Sequence, residues 1–189
     1  MTQRTIGQLA AIAALAAGLS ACGVVKNTIR DGDDAALMLR GNDPVAYFAV
    51  GKPTPGNPAI KAEHDGVTYR FVSAENKAEF LRIPKRYVPA YAGFCASGAP
   101  YALKANIGAD TFKIVDDRLY LFGSTRSRRN WSLDEKQNIK LGDTYWENET
   151  RDVPHRIQNY KRYLFKVPHY KTDAELDAEH EKRFGEPAQ

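Results

Sequence analysis

Cysteine is scarce in this chain, with two among 189 residues, Cys22 and Cys95, so no multi-bridge disulfide framework holds it together. Acidic and basic side chains nearly cancel. Twenty-seven Lys and Arg against 23 Asp and Glu leave a formal charge of +4, too little for the basic footprint of a nucleic-acid binder. Beyond the N-terminal segment no apolar run approaches the roughly 20 residues that span a bilayer, and mean hydropathy is -0.51. The sequence has no Gly-rich phosphate loop, no dinucleotide fingerprint and no carboxylate pair in a catalytic context. Its four histidines fall outside HxxxH and HxH spacings, and CxxC is missing, so no local motif assembles a soft-metal site.

What is present begins at the N-terminus. Arg4 precedes an apolar run from Ile6 to Leu19, followed by Ser20, Ala21, Cys22 and Gly23. A basic start, a short hydrophobic segment and small residues before a cleavage point read as a secretion signal over residues 1–21. Leu19-Ser20-Ala21-Cys22 resembles the lipobox of bacterial lipoproteins. That resemblance implies that Cys22 becomes the new N-terminus and carries the acyl chains, such as palmitate, of a lipid anchor. It also implies a place in the cell envelope, on the periplasmic side, with Gly23 favouring the outer membrane in a Gram-negative host. Acylation of Cys22 leaves Cys95 as a lone thiol: a buried apolar side chain, a metal or redox ligand, or an intermolecular link.

The mature length suits one domain with an appendage. Residues 22–36, with an Asp-Gly-Asp-Asp run, read as a flexible, solvated tether. Residues 37–150 form the domain and residues 151–189 a helical C-terminal extension. The fold class is α+β: a small antiparallel sheet of two hairpins packed with short helices. One hairpin turns at Asp65-Gly66, with Tyr69 and Phe71 on one face, and the other at Asp116, Asp117 and Arg118. Ser73 caps a helix over Ala74 to Leu81 and Pro84 opens another. Ser124 or Thr125 caps a helix running to Leu141, where Gly142 stops it. Arg126, Arg128 and Arg129 read as a solvated helix start, or a contact for anionic headgroups. Val153, Ile157, Tyr160 and Leu164 recur at helical spacing, which predicts a helix laid against the domain. Thr172 and Glu175 form a capping box for a charged last helix, and Gly185 ends it.

Four segments taken together resemble the bacterial YHS-domain proteins: residues 41–48 (GNDPVAYF), 66–71 (GVTYRF), 92–96 (AGFCA) and 115–121 (VDDRLYL). Lys104, Trp131 and Trp146 also fall where that pattern has a lysine and tryptophans, although no Tyr-His-Ser tripeptide occurs in this chain. The resemblance spans residues 37–147 and implies a small α+β domain and metal binding. Of the residues present, Cys95 is the first candidate donor for a soft ion such as copper or zinc. Two functions remain open from the residues. One is a binding or accessory module with membrane attachment, an unspecified protein partner and no nucleic acid. The other is a thiol- or metal-dependent enzyme using Cys95, with Lys104 close enough to favour the thiolate.

Overall fold

The computed structural model describes residues 24–185, so Cys22 and the leader expected over residues 1–21 lie outside them. The architecture is α+β. Strands β1 (Ile29–Asp31) and β2 (Asp34–Leu37) pair antiparallel. The short helix α1 (Ala46–Ala49) precedes a hairpin of β3 (Asn57–His64) and β4 (Val67–Phe71). Helices α2 (Ala74–Arg82) and α3 (Pro84–Tyr87) lead to a second hairpin, β5 (Gly108–Val115) and β6 (Arg118–Phe122). Four more helices follow: α4 (Thr125–Trp131), α5 (Glu135–Tyr145), α6 (His155–Leu164) and α7 (Asp173–Phe184).

Both hairpins turn on residues the sequence offers, Asp65-Gly66 and Asp116-Asp117, all at positive φ, although Arg118, expected in the second turn, already pairs with Val115 in β6. Aspartate and glycine tolerate that region best. The two hairpins do not share a sheet. The first belongs to a four-stranded sheet of order β1-β2-β4-β3, in which β2 runs parallel to β4, and the second is a separate two-stranded sheet.

The extra strands come from the segment expected to be a tether. Asp34, 4% exposed, accepts from Lys61 Nζ at 2.6 Å and Arg70 Nε at 2.8 Å, and Arg70 also donates to Asp31 Oδ2 at 2.6 Å. A buried guanidinium in β4 needs carboxylates beside it. The acidic run supplies them, Asp34 from a buried position and Asp31 from an exposed one. Further upstream, Val25 N–H donates to Arg151 O at 3.2 Å and Asn27 N–H to Ala92 O at 3.0 Å. From residue 25 onward the expected tether is therefore a strap fastened to the body.

The chain uses one structural unit twice. Cross-strand partners Asn57–Phe71, Lys61–Arg70 and His64–Val67, shifted by 51 residues, become Gly108–Phe122, Phe112–Leu121 and Val115–Arg118, with a register break at the same place. The helix behind each hairpin is capped by a serine hydroxyl, Ser73 accepting from Asn76 N–H and Ser124 from Ser127 N–H. Ahead of each hairpin stands a run of three positive-φ residues, Leu39-Arg40-Gly41 and Tyr91-Ala92-Gly93. Between the halves lies a common core that includes Tyr47, Phe71, Phe80, Leu121 and Trp131.

The helices after β6 differ from expectation at Gly142. It sits inside α5, where a Cβ would stand 2.5 Å from Tyr91 Oη and 3.1 Å from Ala99 Cβ. Glycine here lets the helix lie close against Tyr91 instead of ending it, and α5 loosens into a π-helical turn at Trp146–Thr150. The preceding break comes earlier, at Trp131, which anchors in the core between Tyr120 and Phe122. The charged α7 is capped as expected by the Thr172–Glu175 box and Gly185.

Candidate functional site

The second positive-φ run delivers Cys95. Gly93 has φ +81 and its missing Cβ would stand 2.8 Å from Met38 Sδ, so the sharp turn and the close approach both require glycine. Cys95 N–H then donates to Ala105 O at 3.0 Å and Ala96 N–H to Leu121 O at 2.8 Å, pinning the segment onto β6. The thiol is 2% exposed. Its Sγ accepts from Gly123 N–H at 3.2 Å and lies 3.1 Å from Ser97 Oγ.

The first half shows what this position does when it is a carboxylate. Asp43 stands where Cys95 stands, and its side chain accepts from Val45 N–H at 2.8 Å, Ala46 N–H at 3.3 Å, Val72 N–H at 2.8 Å and Asn76 Nδ2 at 2.8 Å. Val72 and Gly123 correspond, so the thiol keeps the strand-end bond and lacks the others. Asn76 corresponds to Ser127, a shorter side chain whose hydroxyl lies 3.1 Å from that of Ser124.

Where the first half is clasped, the second opens into a cavity of about 330 Å³. Its walls include Cys95, Ser97, Asn130, Trp131 and Asn138, and Lys171, Asp173 and Leu176 close one side. The indole N–H of Trp131 finds no acceptor among the described residues.

That closing side is held by charge. No residue of α7 is buried; Asp177 instead accepts from Arg126, Arg129 and Asn130 Nδ2, the last at 3.0 Å. Bonds from Arg126 and Asn130 hold its carboxyl down at about 2. Arg126 and Arg129, expected at a solvated helix start, are thus ion-paired with α7. Arg128 Nη1 reaches Phe112 O at 3.5 Å.

Lys104 does not join Cys95. Its Nζ donates to Arg151 O at 3.1 Å and Val153 O at 2.8 Å, between the rings of Phe94 and Trp146 at 5.1 and 5.2 Å. It fastens the extension, and Val25 uses the same Arg151 carbonyl. Burial pushes its pKa down to about 8. Below that pH, folded and unfolded chains both hold the proton. Between about 8 and the ordinary lysine range only the unfolded chain does, so stability rises with pH. Urea unfolding from about pH 7 to 10 should show a gain of roughly 1–3 kcal/mol, and Lys104→Met should flatten it.

The donor set around Cys95 does not fit copper or zinc. Such ions take three or four thiolate, imidazole or carboxylate donors. Among the described residues no group of three His, Cys, Asp or Glu side chains is placed to hold an ion. The histidines are dispersed: His169 bonds Pro100 O at 2.7 Å, His180 packs on Phe184, His64 faces Phe80, and His155 opens α6 in solvent. None is bonded to the thiol as a base.

No family model, curated protein or solved structure matches this chain, so the chemistry of the site rests on its own geometry. Among the described residues no helix is long and apolar enough to cross a membrane. The sequence singled out Cys95 and Trp131 but not Ser97, Asn130 or Asn138 as walls of one cavity. The repeat, in which Asp65, Tyr69, Phe71 and Ser73 recur as Asp116, Tyr120, Phe122 and Ser124, was the signal that Cys95 has a counterpart in the first half.

Proposed function

We propose that this protein is an envelope binding module, held to a bilayer by acyl chains on Cys22, which takes a small polar molecule into the cavity beside Cys95. One observation carries the reading: the position that Asp43 closes in the first half is open in the second, and among the described residues no base stands beside the thiol to make it a nucleophile. The lining asks for a ligand with both donors and acceptors, because amide, hydroxyl and the charged Lys171 and Asp173 side chains stand there beside Trp131 and Leu176. The lipobox and the resemblance to YHS-domain proteins support the envelope setting and the accessory role. The poor donor set makes a metal-free ligand the better fit.

Alkylation by iodoacetamide tests the cavity. In the folded chain Cys95 should react more slowly than a free thiol, and in Asp177→Ala roughly tenfold faster than in the parent, because α7 loses three donors' worth of attachment, about 1–2 kcal/mol. Reaction only on global unfolding removes the cavity as a binding site. Reaction faster than a free thiol makes Cys95 an activated nucleophile and favours the enzyme. Mass spectrometry of the membrane-extracted chain tests the anchor: an unacylated Cys22 removes it.

A further inference from the structure

Helix α6 is packed inside out. Its inward residues are polar: Gln158 Nε2 donates to Ala102 O at 2.8 Å and Glu149 Oε1 at 2.6 Å, Asn159 exchanges two bonds with the Lys104 backbone at 2.7 and 2.9 Å, and Arg162 pairs with Glu149. Its apolar residues point away from the body. Ile157, Tyr160, Tyr163, Leu164 and the adjoining Phe165 are 53–78% exposed. The stripe expected to lie against the domain is the outer surface, because Ala102, Lys104 and Glu149 offer polar groups that the amide and guanidinium side chains of the other face satisfy.

Three features say what covers this face. Arg156 and Lys166 are exposed around it, Lys161 beside them is shared with Glu149 Oε1 at 3.2 Å, and residues 153–172 contain no Asp or Glu, so the surface complements negative charge. Tyrosine and phenylalanine beside Lys and Arg are the composition that settles at headgroup depth. The strap also ends here. Val25 is bonded to Arg151, four residues before α6 begins, and Cys22 lies three residues upstream, a reach of at most about 10 Å.

We propose that the outward face of α6 rests on an anionic phospholipid bilayer, orienting the body against the leaflet. The proposal deepens the membrane attachment above but stands on different residues, so the two fail separately. Both sheets and the core lie within residues 24–185, so a chain beginning at Val24 keeps these contacts and lacks Cys22.

That chain should co-sediment with phosphatidylcholine vesicles containing roughly a third phosphatidylglycerol, and much less with pure phosphatidylcholine or at high salt. The triple variant Tyr160→Ser, Tyr163→Ser, Phe165→Ser should lose binding roughly tenfold or more. Its circular dichroism melt should match the parent, since all three side chains are exposed. Equal binding by the variant, equal binding to neutral vesicles, or no binding by the parent overturns the proposal. So does a dimer in sedimentation that the triple variant abolishes, which would make the face a protein interface.

Discussion

Replacing Asp34 with alanine should destabilise the chain by about 3 kcal/mol, the low end of the cost of breaking a buried ion pair, because the guanidinium keeps only the exposed Asp31 carboxylate. Arg70 is 8% exposed and Asp34 4%, and the carboxylate receives Lys61 Nζ as well as the guanidinium. The control is the double variant Asp34→Leu with Arg70→Leu, which removes both charges and should recover most of the loss. Leucine already fills the corresponding place in the second half, at Leu121. Urea unfolding of both variants checks this, and a double variant as unstable as Asp34→Ala would show that backbone geometry, not charge, sets the cost. The pair also gives an acid limit. Bonds from Lys61 and then Arg70 hold the Asp34 carboxyl below its ordinary range, so its contribution is fully present above that range and falls away as pH drops through it.

The second large effect is expected at Gly56. A Cβ there would stand 2.5 Å from the carbonyl carbon of Arg70 and 2.7 Å from its Cβ and its oxygen. The obstacle is the backbone of β4, a strand buried along its whole length, so no side-chain rotation relieves it. Gly56 N–H meanwhile donates to Gly41 O at 2.9 Å, which prevents the segment from backing away. Gly56→Ala should cost roughly 3 kcal/mol or more. Gly51, around which an added Cβ meets nothing within 4 Å but whose φ is +67, should lose only about 1 kcal/mol on the same change. Thermal melts of the two variants side by side separate crowding from strain.

The hairpins, their turns and the serine caps were legible in the sequence because each is a local decision: a residue tolerating positive φ between alternating strands, or a hydroxyl ahead of a helix. What was not legible depended on partners distant in the chain. Asp31 and Asp34 look like solvated charge until Arg70 is placed in a buried strand. Gly142 looks like a stop until Tyr91 is laid against it. Ile157, Tyr160 and Leu164 announce an amphipathic helix, and periodicity cannot say which side is turned to the body when the body presents carbonyls. Cys95 was legible as a candidate, whereas its cavity, closed by Lys171 and Asp173 from the far end of the chain, was not.

The repetition of one unit has a consequence for how this protein tolerates change. Where Asp43 gathers four donors, every contact is already spoken for, and alteration there is felt in whether the chain folds. At Cys95 the same scaffold has been relieved of that duty by its twin. Specialisation is cheap in such an arrangement: one copy keeps the architecture standing while the other is at liberty to acquire selectivity.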